Sequence, residues 1–370
     1  MHHNETKTPL IRLAKRGVME PWKAWCIRVG SILVALLLGG LVMSIALPEG
    51  SNIFSAYGTI IEGALGKKTA IRQTIKLAVP LLGTALAIAP CFKMRFWNIG
   101  AEGQVLVGAM ATAAVMIYGA DLPSWALYAL CPIAGIAAGS LWGMIPAFFK
   151  ARWNTNETLF TLMLNYIAMQ LVSFAIVYWE TPKGSNHVGL INNQTKAGWL
   201  PSIGGNGYLL PIIIVMVLMV LMYLYMNYSK QGYEIAVVGE SENTAHYAGI
   251  NVKRVIIRTM AISGGIGGLA GYLLASGVGH TISTGLAGGR GFTAIIVAWL
   301  GKLNPFAMVF VAFFLVFMEK GAGQIATQFN LNENASDIIT GIILFFILGC
   351  EFFIHYQVEL RKREKEAAKA

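Results

Sequence analysis

The run TMAISGGIGGLAGYLLASGVGHTISTGLAGG, residues 259–289, contains no Asp, Glu, Lys or Arg, and it decides the fold. A membrane-spanning helix needs about 20 consecutive apolar residues, and this run is longer. Glycines recur four positions apart in this run and in a second one, as the pairs Gly264/Gly268 and Gly267/Gly271 and the series Gly135, Gly139 and Gly143. That spacing stacks small residues on one helix face and lets backbones approach closely in lipid. The pattern predicts tightly packed membrane helices.

The composition of the whole chain agrees with a membrane protein. It is 56% hydrophobic and 12% charged, with a mean hydropathy of +0.60, whereas soluble domains carry about 25% charged residues. Further uncharged runs occupy residues 29–48, 77–92, 103–120, 122–149, 158–179, 197–229, 303–318 and 338–350. With a shorter apolar piece at 291–301, they predict an all-α integral membrane protein of about ten transmembrane helices with broken or re-entrant segments.

The formal net charge of +10 comes from basic residues that lie between the apolar runs. If the N-terminus is cytoplasmic and the spans alternate, 20 of the 28 Lys and Arg residues fall on the inner side. This bias is typical of membrane topology and predicts cytoplasmic termini, so the charge does not indicate nucleic-acid binding. The cationic cluster at 67–76 falls on the outer side, where an amphipathic surface segment would accommodate it.

The same patterns divide the chain into parts. We expect a basic cytoplasmic N-terminus at 1–28, a single transmembrane domain at 29–356 with a cytoplasmic loop at 229–258, and a charged cytoplasmic tail at 357–370. The four cysteines are scattered without metal-ligand spacing, which favours packing roles. No phosphate-binding loop, zinc-protease motif or nucleophile elbow is present in the sequence. No catalytic residue, metal or cofactor is therefore assigned to this chain.

Two segments place polar residues inside apolar surroundings. They are FWNIGAEGQ at 96–104 and NETLFTLMLNY at 156–166, in which the polar positions of the second follow i, i+4 spacing. A carboxylate near hydrocarbon costs at least about 2.5 kcal/mol, so it needs a partner or a wet cavity. One hypothesis is a substrate pathway, and the alternative is hydrogen bonding that holds the bundle together. The candidate residues are Asn98, Glu102, Gln104, Glu157, Thr161 and Asn165.

A third break lies at 285–291, where GGRG (288–291) interrupts the apolar run before 292–300. Two interrupted segments, one in each half of a membrane protein, are typical of transport sites built from repeats. The cytoplasmic loop holds a further feature, since Ser241 can cap a short helix and Gly249 can end it in the left-handed conformation. Such a short helix persists only when it docks, either on a soluble cytoplasmic subunit or on the membrane or its own bundle.

Five segments together resemble ABC-transporter permeases of the ribose, simple-sugar and nucleoside importer branch. They are FWNIGAEGQ, NETLFTLMLNYIA (156–168), the A-x-Y-A-G-I ending of 239–250, SGGIGGLAG (263–271) and residues 291–305. The resemblance spans roughly residues 70–350 and implies a helical bundle whose coupling helix rests on a cytoplasmic ATPase. It also implies an extracytoplasmic substrate-binding lipoprotein or protein and the plasma membrane of a prokaryote. The coupling segment then comprises Gly239, Ala245, Tyr247, Ala248, Gly249 and Ile250, and His246 stands where the family usually has Arg.

Within this branch, the chain looks most like the larger permease of nucleoside importers, which implies a heterodimer with a second permease. The features that carry this likeness are the FWNIGAEGQ motif, the cationic N-terminus and the long insert before residue 70. We expect this chain to be the permease subunit of an ATP-driven importer, with ATP used by the partner subunit. The importer would carry a small polar solute by alternating access, and nucleosides are the first candidate. A simple-sugar importer is one alternative. A secondary transporter coupled to protons through Glu102 or Glu157 is another, and a membrane-embedded enzyme is a third.

Overall fold

The computed structural model describes residues 11–15, 20–46, 53–204, 206–329 and 356–360, with isolated positions between 338 and 354. Most of the basic N-terminus, the connection 47–52, Cys350 and the charged tail from 361 lie outside the described residues. The chain divides into two compact units, Lys67–Phe317 and a second one formed by Met1–Gly66 and Met318–Ala370. Helices dominate both, which confirms the predicted all-α class.

The bounds of the elements follow the uncharged runs. The N-terminal segments are β1 (Ile11–Lys15), α1 (Pro21–Ala46), α2 (Ile53–Ile61) and a π-helical turn Glu62–Gly66, and β1 pairs antiparallel with β2 (Tyr356–Leu360). The remaining helices are α3 (Lys68–Lys93), α4 (Ala101–Tyr118), α5 (Ser124–Trp153), α6 (Glu157–Trp179), α7 (Leu209–Tyr228), α8 (Lys230–Glu240), α9 (Glu242–Tyr247), α10 (Val252–Tyr272) with a π-helical end Leu273–Gly279, α11 (Arg290–Leu300) and α12 (Pro305–Gln328).

Seven helices among the described residues are long and apolar enough to cross a membrane: α3, α4, α5, α6, α7, α10 with its π-helical end, and α12. The count of ten is not confirmed. Residues 197–204, 206–208 and 280–289 belong to predicted runs but are not helical, because lack of charge does not distinguish a helix from irregular chain. The predicted run 338–350 lies largely outside the described residues, and α11 is the short apolar helix expected after the glycine break.

Helix α10 packs against α5 and α4 through glycines, as the four-residue spacing predicts. A Cβ on Gly268 would collide with the backbone carbonyl of Gly135, and a Cβ on Gly139 would collide with that of Gly264. On another face of α10, a Cβ on Gly271 would collide with the carbonyl of Val105 in α4. The helices therefore touch backbone to backbone, which is how small residues promote packing in lipid.

The cysteines divide into two groups. Cys91 and Cys131 are buried packing residues, as predicted, whereas Cys26 is exposed on α1. The packing prediction is wrong for Cys26, because the spacing of cysteines along the sequence does not report which helix face is buried.

One end of the larger unit is covered by the irregular segment 191–200, which we call the covering segment. Ile191 donates its amide to the carbonyl of His280 at 2.8 Å, and the Asn192 amide group donates to the carbonyl of Met116 at 2.6 Å. The Trp199 ring stacks on the His280 ring with 3.8 Å between centroids. These contacts place the end of α10 and the Tyr118 end of α4 at the same level of the bundle.

Candidate functional site

The turn between α3 and α4 carries a buried polar cluster, formed by Asn98, Gln104 and Ser263. The Asn98 Nδ2 donates to Ser263 Oγ at 3.2 Å and lies 3.4 Å from Gln104 Oε1, and Asn98 Oδ1 accepts the amide of Gly100 at 3.0 Å. Buried amides of this kind must be hydrogen-bonded to offset their desolvation. The cluster therefore fastens the turn to the start of α4 and to the middle of α10.

The polar stripe of α6 holds the same turn from another side. Asn165 accepts the Gly103 amide at 2.8 Å and donates to the carbonyl of Ile99 at 2.9 Å. Thr161 Oγ1 accepts the Ile99 amide at 3.2 Å. Both side chains are buried, so the prediction that the i, i+4 residues look into the bundle is confirmed for this pair.

Glu102 is 2% exposed and binds the N-terminus of α11. Its Oε1 accepts the amide of Gly289 at 2.8 Å and its Oε2 accepts the amide of Gly291 at 2.6 Å. Gly289 has φ +73°, and a Cβ on Gly291 would collide with the backbone of Glu102, so the glycines are required for this approach. A carboxylate at a helix N-terminus is stabilised by the helix dipole and by charge-assisted hydrogen bonds.

Glu157 lies apart from the other candidates. It pairs with Lys150 at 3.0 Å, and both side chains line a cavity of about 220 Å³ beside Arg95, Glu240 and Glu242. The structure thus brings together five of the six predicted residues and places the sixth beside α8 and α9. Neither acidic candidate is an isolated carboxylate, since Glu102 uses both oxygens and Glu157 is ion-paired.

The short helix α9 has the caps that its sequence predicts. Ser241 Oγ accepts the Thr244 amide at 3.3 Å, and Gly249 ends the helix with φ +73°. The amide of Ile250 returns to the carbonyl of Ala245 at 2.9 Å, which closes the left-handed cap.

The predicted coupling residues fall into two groups. Gly239 and Ala245 are buried, and a Cβ on Gly239 would collide with the carbonyl of Lys93 at the end of α3. Tyr247 is 94% exposed, and Ala248 and Gly249 are exposed beside it. The first group attaches α8 and α9 to the bundle, and the second forms an outward surface.

Sequence reasoning missed Ser263 as the partner of Asn98. The available signal was a buried hydroxyl in a glycine-rich, uncharged run, since a hydroxyl there needs a hydrogen-bond partner. It also missed the stacking of Trp199 on His280, for which the sequence carries no local signal.

A bundle of helices long and apolar enough to span a membrane, with a buried polar break and an exposed short helix, is the architecture of a multi-pass membrane protein. A family model described as "Branched-chain amino acid transport system / permease component" matches residues 70–348. The chain belongs to this family of membrane transport permeases.

Relatives with assigned transport roles cover most of this chain. The guanosine ABC transporter permease protein NupP of Bacillus subtilis is 32% identical over 90% of this chain and 95% of NupP. The glucose ABC transporter permease protein TsgB13 of Haloferax volcanii is 28% identical over 94% of this chain and 93% of TsgB13. The nucleoside ABC transporter permease protein NupB of Lactococcus lactis is 28% identical over 90% of this chain and 93% of NupB.

Proposed function

We propose that this chain is the membrane-spanning permease subunit of an ATP-driven importer that carries nucleosides across the plasma membrane. The observation that carries the proposal is the permease family match over residues 70–348, and the exposed surface of α9 around Tyr247 offers an ATPase subunit a place to dock. Two of the three relatives above are named for nucleosides and all three for ABC transport. The second candidate function is sugar import, which the glucose permease TsgB13 favours.

Force applied to α9 has a continuous route into the bundle. Gly239 of α8 touches the backbone at the end of α3, and Glu234 of α8 pairs with Arg258 of α10 at 3.0 Å. From there, α10 reaches the Asn98 turn through Ser263, and α4 reaches α11 through Glu102. Closure of two ATPase subunits against α9 would therefore move the polar turn and α11 together, which supports transport by alternating access.

This proposal implies partners and an orientation. A cytoplasmic ATPase would contact α9, which puts the α8–α9 side of the larger unit in the cytoplasm, and the cytoplasmic location of the chain termini stays a prediction from the charge bias. A second permease would complete the pore, and an extracytoplasmic binding protein would deliver the solute on the side of the covering segment. A substrate role for the six predicted polar residues requires their internal hydrogen bonds to open during transport, and it stays a prediction.

Uptake into vesicles tests the proposed function directly. Vesicles that hold this chain with its candidate partners should accumulate radiolabelled nucleosides only when ATP is supplied on the α9 side. Simple sugars serve as the competing solutes, and an uncoupler should leave uptake intact. Uptake by this chain alone without ATP, or collapse of uptake with the uncoupler, would overturn the ATP-driven importer in favour of a secondary carrier.

Replacing Gly249 with Val should reduce ATP-dependent uptake about tenfold. A side chain in the left-handed conformation costs about 1–2 kcal/mol, and about 1.4 kcal/mol corresponds to a factor of ten in docking. The matched control is Gly184→Val, because Gly184 is also exposed with positive φ (+84°) and has nothing near its Cβ position. Equal uptake by the two variants would argue against α9 as the coupling element.

A further inference from the structure

The irregular segment 281–289 connects the π-helical end of α10 to α11. It begins after His280, which the covering segment joins to the Met116 level of α4, and it ends at Gly289, whose amide Glu102 accepts at the other end of α4. Glu102 and Met116 are about 21 Å apart along the helix at about 1.5 Å per residue. Nine residues of extended chain reach at most about 32 Å. The segment therefore descends through most of the bundle as non-helical chain.

Its backbone is largely free of internal hydrogen bonds. Among the described residues, Leu286 is the one position from 281 to 288 whose amide donates to another backbone carbonyl. Thr284, Gly285 and Gly288 are exposed, and Ser283 is partly exposed. Irregular backbone at membrane depth occurs only where it is buried in protein or lines a water-filled cavity. Ile282 and Ala287 are buried in this chain, so the exposed residues Thr284, Gly285 and Gly288 are the ones that a water-filled cavity or a second permease subunit would contact.

Arg290 provides the charge of this segment. Its Nη1 lies 3.2 Å from the carbonyl of Ala287 and 3.4 Å from that of Leu286, and no carboxylate of the described residues forms an ion pair with it. Both oxygens of the adjacent Glu102 are occupied by amides. The guanidinium has five donors, and an ionisable residue inside a membrane protein faces a partner or water.

We propose that residues 281–290 line the aqueous route of the transported solute and that Arg290 is the cation of this lining. The hydroxyls of Ser283 and Thr284 and the open donors of Arg290 suit a neutral solute rich in carbonyl and hydroxyl acceptors, and Arg290 repels cations. A nucleoside fits this class, so the identity of the solute rests on the proposed function, whereas the position of the route does not. The route lies beside Glu102, whose carboxylate accepts the amides of Gly289 and Gly291 at the end of the segment.

Thiol accessibility tests the position of the route. Thr284→Cys is made in the full complex after Cys26 and Cys350 are changed to Ser. Cys91 and Cys131 are kept because they are buried. Ser276→Cys is the matched control, because it is the same type of change on a buried side chain of the same chain region. A charged, membrane-impermeant methanethiosulfonate should label T284C at least about tenfold faster than S276C, with or without ATP. The solute that the complex transports should slow this labelling.

Two results would overturn the route. In the first, T284C reacts no faster than S276C in both nucleotide states, as it would if lipid or a second permease covered the segment. In the second, T284C is labelled but no transported solute protects it. The protecting solute is whichever solute the uptake experiment shows to be transported. If the complex does not transport nucleosides, the proposed solute fails, but the position of the route can still be tested with the solute that is transported.

Arg290→Met and Arg290→Lys test the cation. R290M should lower uptake about tenfold with a raised KM for the solute, whereas R290K, which keeps the charge, should keep part of it. The control is Arg152→Met on an exposed basic residue. A raised KM with unchanged maximal uptake distinguishes solute contact from a structural role, which would lower maximal uptake in R290M. Wild-type KM in R290M would remove Arg290 from the route.

Discussion

Gly268→Ala is expected to destabilise the bundle by about 3 kcal/mol, at the upper end of the range for overpacked cores. The added methyl group would collide with the backbone carbonyl of Gly135 and would lie 3.1 Å from the Cα of Gly139. Backbone cannot move aside as a flexible side chain can, so α5 and α10 must separate along their whole contact. Thermal unfolding of the detergent-solubilised chain, followed by tryptophan fluorescence, measures the loss.

Gly83→Ala is the matched control. Gly83 is also a buried glycine inside a membrane helix, but its Cβ would meet Ala270 Cβ at 3.6 Å and Val215 Cγ2 at 3.8 Å, which are ordinary contacts. Because alanine is the better helix former, this variant should unfold at the same temperature or gain about 0.5–1 kcal/mol. Equal losses in both variants would contradict the backbone contact described between α5 and α10.

Glu102→Ala should cost about 2–6 kcal/mol and abolish uptake. The change leaves the amides of Gly289 and Gly291 buried or nearly buried without their acceptor, and each such amide costs about 1–3 kcal/mol. Glu102→Gln keeps one acceptor oxygen and should fall between Ala and the wild type. The measurements are thermal unfolding and ATP-dependent uptake on the same preparations.

Asp121→Asn serves as the control for the Gln variant, since it makes the same change in charge at an exposed position between α4 and α5. The two roles considered for Glu102 separate in this experiment. A proton-carrying carboxylate would lose transport on Glu102→Gln with unchanged stability. A carboxylate that holds the start of α11 would lose stability and transport together, which is the result the geometry predicts.

Several features of this protein follow from local sequence rules. The four-residue glycine spacing predicts that one face of α5 and one face of α10 pack closely, because periodicity alone decides which helix face is small. Ser241 and Gly249 predict the bounds of α9, because capping depends on residues within one turn. The cost of burying a carboxylate correctly indicates that Glu102 has a partner, as its two amide hydrogen bonds show.

Other features depend on contacts between distant parts of the chain. The partner of Glu102 is the backbone of Gly289 and Gly291, and backbone amides look identical in every sequence. The run 259–289 reads as one apolar stretch, although its last ten residues are irregular chain, because composition does not report whether an unpaired backbone lies in water, in lipid or against protein. The expected domain boundaries and the lining by six polar residues remain predictions.

The glycine contacts of α10 also determine where this protein can bend. Side chains can slide past one another, but touching backbones interlock, so α4, α5 and α10 behave as one stiff block. During a transport cycle, a change of shape in the larger unit then concentrates outside this block, at the segment 281–289, where Leu286 is the one described position from 281 to 288 whose amide donates to a backbone carbonyl. The segment proposed to line the solute route is thus also the joint between α10 and α11.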